Sequence, residues 1–214
     1  MIYTALGDSI TFGENASCWA NAYPQLAVST LNCRSRKVRG FVLARSGWSS
    51  NDLLDAVIWQ GDPVIAHSDV VSVWIGGVDL AKVALSSFKS KQPLAAEKLI
   101  SSYKRNLSTI FTQIKRGSCA RIICCTQYNP FPATSLAVGA IDQLNRTITE
   151  LSHSCGVTVA PAHSWFEGKQ AELIHGFRQG KVEDALSGSM PIHPNDRGHR
   201  VIAAGLAPYL IPRR

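Results

Sequence analysis

The chain has 214 residues, 45% hydrophobic and 17% charged, which suits one folded unit over residues 1–214 and excludes wholesale disorder. No apolar run approaches the ~20 residues of a membrane span. Net charge is +7, from 22 basic and 15 acidic residues, but the charges are scattered, so a solvated basic surface is expected rather than a nucleic-acid-binding face.

Ile2–Leu6 reads as a first buried strand and begins at once, without the basic and apolar leader of a signal peptide. A cytoplasmic protein is expected, although the mature form of a secreted one would read the same. Trp19–Leu31 has helical spacing, with Tyr23, Leu26, Ala27 and Leu31 on one side. Arg34-Ser35-Arg36-Lys37-Val38-Arg39, the densest basic cluster, leads into a second strand over Val38–Ala44. Asn51–Trp59, with Leu53, Leu54, Val57 and Ile58, reads as a short helix. Val70–Ile75 is apolar and β-branched, as a strand buried on both faces should be.

Leu94–Ile114 is the longest helical stretch, with Leu99, Tyr103, Leu107, Ile110 and Ile114 along one stripe. Arg121–Thr126, a helix over Ala137–Leu151 and a short strand over Val157–Ala160 follow. A last helix from about Asp196 to Leu210 turns Val201, Ile202, Leu206 and Leu210 inward. Loops are expected around Phe88–Pro93 and Ser187–Pro191. The alternation predicts an α/β fold with a five-stranded parallel sheet covered on both sides. The six cysteines form no C-x-x-C pair, so no zinc or redox motif is supported, and Cys124 and Cys125 read as core thiols.

Three polar or glycine-rich blocks follow the first three strands: Gly7-Asp8-Ser9-Ile10-Thr11, Arg45-Ser46-Gly47-Trp48-Ser49-Ser50 and Gly76-Gly77-Val78-Asp79. Carboxyl ends of neighbouring parallel strands lie side by side, so these blocks should converge on one crevice, with Trp48 at its mouth. A serine there needs a base. His193, in Pro191-Ile192-His193-Pro194-Asn195-Asp196, precedes a helix start that Asn195 or Asp196 can cap. The positive end of that helix disfavours imidazolium, which keeps the ring ready to accept a proton. A metal site at His193, Asp196 and His199 is disfavoured, because helical ligand pairs are usually three or four apart.

The first block together with His193-Pro194-Asn195 resembles the SGNH hydrolase superfamily, the GDSL esterases and lipases. The resemblance spans the chain. It implies a flavodoxin-like three-layer α/β/α sandwich and ester hydrolysis without metal or cofactor. Ser9 matches the nucleophile and His193 the base, while the N–H groups of Ser9 and Gly47 match oxyanion donors. Asp8, Trp48, Gly77, Val78 and Asp79 fall at substrate-binding positions. Two positions depart from the family pattern: Val78 stands where an oxyanion-binding asparagine is usual, and Met190 where an aspartate usually orients the histidine. Asn129 and Asn51 are placed to supply an amide. Asp184, Glu183 or carbonyls over Ser187–Met190 are placed to hold the imidazole.

The expected function is therefore hydrolysis of small to medium acyl esters, an acetylated sugar among them, through a Ser-His dyad and an acyl-enzyme. The alternatives are a weakly active or inactive binding protein on the same scaffold and an acyltransferase. The expected partner is a small-molecule ester, with neither nucleic acid nor membrane.

Overall fold

The computed structural model describes residues 1–32, 37–82, 96–187 and 190–211. Cys33, the basic residues Arg34 and Arg36, the loop expected at Phe88–Pro93, and Arg213-Arg214 lie outside the described residues, as does part of the Ser187–Pro191 loop.

Five strands, β1 (Ile2–Gly7), β2 (Arg39–Ala44), β3 (Val70–Trp74), β4 (Arg121–Cys125) and β5 (Thr158–Ala160), form one parallel sheet in the order β2-β1-β3-β4-β5. The crossovers are helices α1 (Tyr23–Asn32), α2 (Ser50–Gln60), α3 (Ala96–Gly117) and α4 (Ser135–Ser154), and the sheet is followed by α5 (Asp196–Leu210). Short helical segments occupy Ser9–Phe12, Trp19–Asn21, Asp62–Ile65, Ala162–Phe166, Gln170–Leu173 and Val182–Ser187.

Strand alternation divides the core in two. Tyr3, Ala5 and Trp74 face α1 and α5, packing with Tyr23, Ala27, Leu31, Ile202 and Leu206. Leu6, Val71 and Val73 face α2, α3 and α4, packing with Leu53, Tyr103, Leu107 and Ile148. The result is the three-layer sandwich expected. Cys124 and Cys125 are buried on opposite faces of β4.

The helix expected over Trp19–Leu31 is corrected. Trp19–Asn21 forms a separate 3-10 turn, Ala22 is extended, and α1 starts only at Tyr23. Pro24 explains the break: its ring suits a first helical turn and restricts the residue before it. Trp19 is 74% exposed, so it belongs to no helical stripe. Ile58 is exposed on α2.

Parallel topology places the carboxyl ends of β1, β2 and β3 together, and with them the three blocks. The register aligns Gly7 with Ala44 and with Trp74. Gly7 is required sterically: a Cβ there would lie 2.2 Å from Thr11 Oγ1 and 2.4 Å from the Trp74 carbonyl oxygen. Gly7→Ala is expected to destabilise the protein by about 1–3 kcal/mol, as overpacking against backbone does. Urea unfolding of the two proteins checks this.

Candidate active site

Ser9 opens the helical segment Ser9–Phe12, which begins directly after β1. Asp8 is its N-cap, and the Asp8 carboxylate accepts from the Ile10 N–H at 3.0 Å. Gly13 ends the turn in the left-handed region at φ 95°. Asp8 and Ser9 are both buried. Burial, with a smaller contribution from the Asp79 charge, raises the Asp8 carboxyl to about 7, against the opposing hydrogen bond from Ile10.

His193 meets Ser9 across the length of the chain: its Nε2 lies 2.9 Å from Ser9 Oγ. The main chain around the imidazole is held on both sides. The Tyr128 hydroxyl donates to the Ile192 carbonyl at 2.5 Å, and the His175 N–H donates to the His193 carbonyl at 2.9 Å. Ile174 and Pro194 form an antiparallel bridge, and the Asn195 N–H donates to the Leu173 carbonyl. Asn195, not Asp196, caps α5, accepting from the N–H groups of Arg197 and Gly198. Burial lowers the proton affinity of His193; Glu14 opposes this and His175 reinforces it. A neutral imidazole at this distance can take the proton of a serine hydroxyl.

The loop after the serine is fastened to α5. Asp196 accepts from the Ser17 N–H at 2.8 Å, from Ser17 Oγ at 2.6 Å and from Asn21 Nδ2 at 3.1 Å. The Tyr23 N–H donates to His199 Nδ1, both at 3.3 Å separation, which leaves the Nε2 proton of His199 to donate to the Glu14 carbonyl at 3.3 Å. The Glu14 N–H in turn donates to the Ser9 carbonyl at 2.9 Å. His199, Asp196, Ser17, Glu14 and Tyr128 are the supporting residues that sequence reasoning missed. Asp196 and His199 sit at the start of a recognisable helix, but their partners lie about 180 positions away and leave no local pattern.

The other expected residues separate into two groups. Gly47 is exposed at φ 82°, with open space where a Cβ would stand. Among the described residues, no acceptor takes the N–H of Ser9 or Gly47. Gly77 lies over the floor of the site, its Cβ direction ending 4.0 Å from Asp8 Oδ2. Val78 is half-buried in the helical turn over 77–82. Trp48 is also half-buried and packs against the Leu6–Leu53 side of the core. Asp79 accepts from Ser50 N–H at 2.9 Å and Ser50 Oγ at 2.6 Å, a bracing contact between two loops. Asn106 Nδ2 adds a bond to the same hydroxyl at 3.1 Å, so the second and third blocks are locked together on α3.

Three of the candidate substitutes for the absent side chains have local partners, Asn129 through its oxygen alone. Asn51 Nδ2 donates to Asp55, and Asn129 Oδ1 accepts from the Phe131 N–H. Asp184 Oδ2 accepts from the N–H groups of Gln179 and Lys181. Met190 is 55% exposed, and its carbonyl accepts from the Ile192 N–H. No carboxylate among the described residues hydrogen-bonds His193, and among them no group of three His, Cys, Asp or Glu side chains could hold a metal.

A model of the GDSL-like lipase/acylhydrolase family matches residues 5–201. The chain belongs to this family. It is a carboxylic-ester hydrolase. Among curated proteins, this GDSL-family esterase is 24% identical to the spore germination lipase LipC of Bacillus licheniformis, over 95% of this chain and 93% of that one. Among solved structures it resembles a lipase from a goat rumen metagenome, with TM-score 0.81, 23% identity and coverage of 96% and 95%. The acetylxylan esterase Axe2 of Geobacillus stearothermophilus follows at TM-score 0.74 and 18% identity, covering 99% of this chain and 94% of that one. No helix among the described residues of the esterase is long and apolar enough to cross a membrane.

The Asp8 proton makes a stability prediction. Folded Asp8 holds its proton to about pH 7, whereas an unfolded aspartate releases it near 3.8, so folding takes up a proton between those values and stability falls as pH rises through that window. Asp8→Asn keeps an oxygen for Ile10 and has no proton to lose. The variant is expected to gain on the native esterase between pH 4 and 7, by on the order of 4 kcal/mol at most. Denaturant unfolding across that pH range measures the difference.

Proposed function

We propose that this esterase hydrolyses small to medium acyl esters through a Ser9–His193 dyad and an acyl-enzyme intermediate. The observation that carries the proposal is the 2.9 Å contact between Ser9 Oγ and His193 Nε2. His193 takes the hydroxyl proton as Ser9 Oγ bonds to the ester carbonyl carbon. The N–H groups of Ser9 and Gly47 stabilise the oxyanion. Collapse breaks the bond to the alkoxy oxygen, which leaves as the alcohol with the proton from His193. Water, deprotonated by the same imidazole, then cleaves the acyl-enzyme and restores Ser9.

In this mechanism main-chain bonds to Ile192 and His193, rather than a carboxylate hydrogen bond, set the orientation of the ring. Gly77 and Val78 border the acyl site, and the exposure of Gly47 leaves room for a bulky alcohol. An acetylated carbohydrate is the proposed substrate class. It is supported by the open space beside the exposed Gly47 and by likeness to an acetylxylan esterase.

Ser9→Ala is expected to lower kcat for a chromogenic short-chain ester at least about a thousandfold. It should also abolish labelling by a fluorophosphonate. Retained turnover in the variant excludes the dyad, and an unlabelled native serine beside measurable ester binding favours a binding protein. Val78→Asn restores the amide usual in the family and is expected to raise kcat by roughly tenfold or more. Steady-state kinetics of that variant at saturating ester provide the check.

A further inference from the structure

We propose that His199 is a positioning residue for the nucleophile: its neutral ring joins the loop behind Ser9 to α5, and protonation of that ring opens the joint in acid. The proposal rests on the Ser9–His193 reading above for its effect on turnover.

The joint is a relay of three bonds. The Tyr23 N–H donates to His199 Nδ1 at 3.3 Å, His199 Nε2–H donates to the Glu14 carbonyl at 3.3 Å, and the Glu14 N–H donates to the Ser9 carbonyl at 2.9 Å. Tyr23 provides a second route to the same turn. Its hydroxyl pairs with Thr11 Oγ1 at 2.9 Å, inside the helical segment that Ser9 opens. Its ring lies within 17° of parallel to that of His199, with centroids 6.4 Å apart. His199 therefore ties the start of α1 and the nucleophile's loop to the helix that begins just after His193.

The ring can do this in one protonation state only. Nδ1 faces an N–H, so it must offer a lone pair, and an imidazolium would set two donors against each other. His199 is 0% exposed, so with the joint closed no solvent reaches the added charge. Opening the loop hydrates the ring and relieves both costs.

Burial is the largest influence on His199 and lowers its proton affinity; the bond to the Glu14 carbonyl and the charge of Asp196 oppose this, and His193 reinforces it. The other titratable groups on the elements packed against α5 have partners of their own. The Tyr23 hydroxyl, on Thr11, is kept protonated by burial. His163 pairs with Thr126, Glu172 with Arg197, and Arg200 turns to the Asp196 carbonyl. Cys18, on the loop, is exposed, and neither Trp19–Asn21 nor β5 carries a titratable side chain. Folded His199 thus releases its proton at lower pH than the unfolded residue. The closed joint has its full stability above the usual histidine value and loses it as pH falls below that value. Asp8 acts in the opposite sense, and the Ser17 bonds keep Asp196 charged through this range, so neither mimics the effect.

Amide hydrogen exchange without ester, from about pH 7.5 down to about 5, tests the joint across the range where histidines titrate. Protection of the Glu14 and Tyr23 amides, corrected for intrinsic rates, should fall at least about tenfold as His199 takes up its proton, while β3 amides keep theirs. The acid limb of kcat/KM should steepen to a two-proton slope, because His193 and His199 must both be neutral. His199→Gln supplies an acceptor for Tyr23 and a donor for Glu14 without a titrating proton. It should keep both amides protected over the whole range and leave a one-proton limb. Steady protection in the native chain overturns the proposal, and that readout stands even if His199→Gln fails to fold. The same acid loss in His199→Gln also overturns it, since another group then opens the loop. Opening that follows His199 beside a one-proton limb overturns the positioning role. Exchange needs neither ester nor the serine hydroxyl, so its result is separate from the Ser9→Ala test of the Ser9–His193 reading.

Discussion

The contact between Ser9 and His193 depends on how the start and the end of the chain are fastened. Neither residue is rigid through its own side chain. Asp8 caps the turn that presents the serine, and Tyr128, His175 and Leu173 hold the segment that presents the imidazole. What brings the two presentations together is the set of bonds from Asp196 and His199 to Ser17, Asn21, Glu14 and Tyr23. Each is an ordinary hydrogen bond contributing about 1 kcal/mol net. Their value lies in agreement: all run between the same loop and the same helix end, so small displacements cannot relax one without straining the rest.

Electrostatics in this region follow from burial. Asp8 lies under the site in a pocket formed with Gly77, and there the cost of desolvating a carboxylate exceeds the gain from one hydrogen bond. His193 is kept neutral by the same cause acting on the opposite sign of charge. One low-dielectric floor thus favours the neutral form of both groups, the protonated carboxyl and the deprotonated imidazole. Asp79, bound to Ser50, joins two loops beside this floor, and its negative charge adds to the case for a protonated Asp8.

Much of the fold was legible because a parallel sheet covered on both faces writes itself as apolar, β-branched runs. Val70–Trp74 and Arg121–Cys125 are examples, and α5 is marked by a capping asparagine and an inward stripe. The meeting of Ser9 and His193 was legible because their motifs fall at a strand end and a helix start. Trp19–Leu31 misled because its apolar residues kept helical spacing across a proline that resets where the helix begins. The bracing contact of Asp79 was hidden for a different reason: its position after β3 resembles a ligand-facing one, and only the fold reveals Ser50 within reach. The loop-to-helix bonds of Glu14, Ser17, Asp196 and His199 join residues that share no periodicity or proximity in sequence, so spacing alone could not reveal them.

The docking of α5 against α1 has a consequence for synthesis. The serine emerges from the ribosome early, and the helix that delivers its partner emerges near the end. Until that helix seats, the hydroxyl of Ser9 lacks the imidazole that stands 2.9 Å from it in the folded chain. A chain cut short before His193 could pair all five strands and still lack that contact.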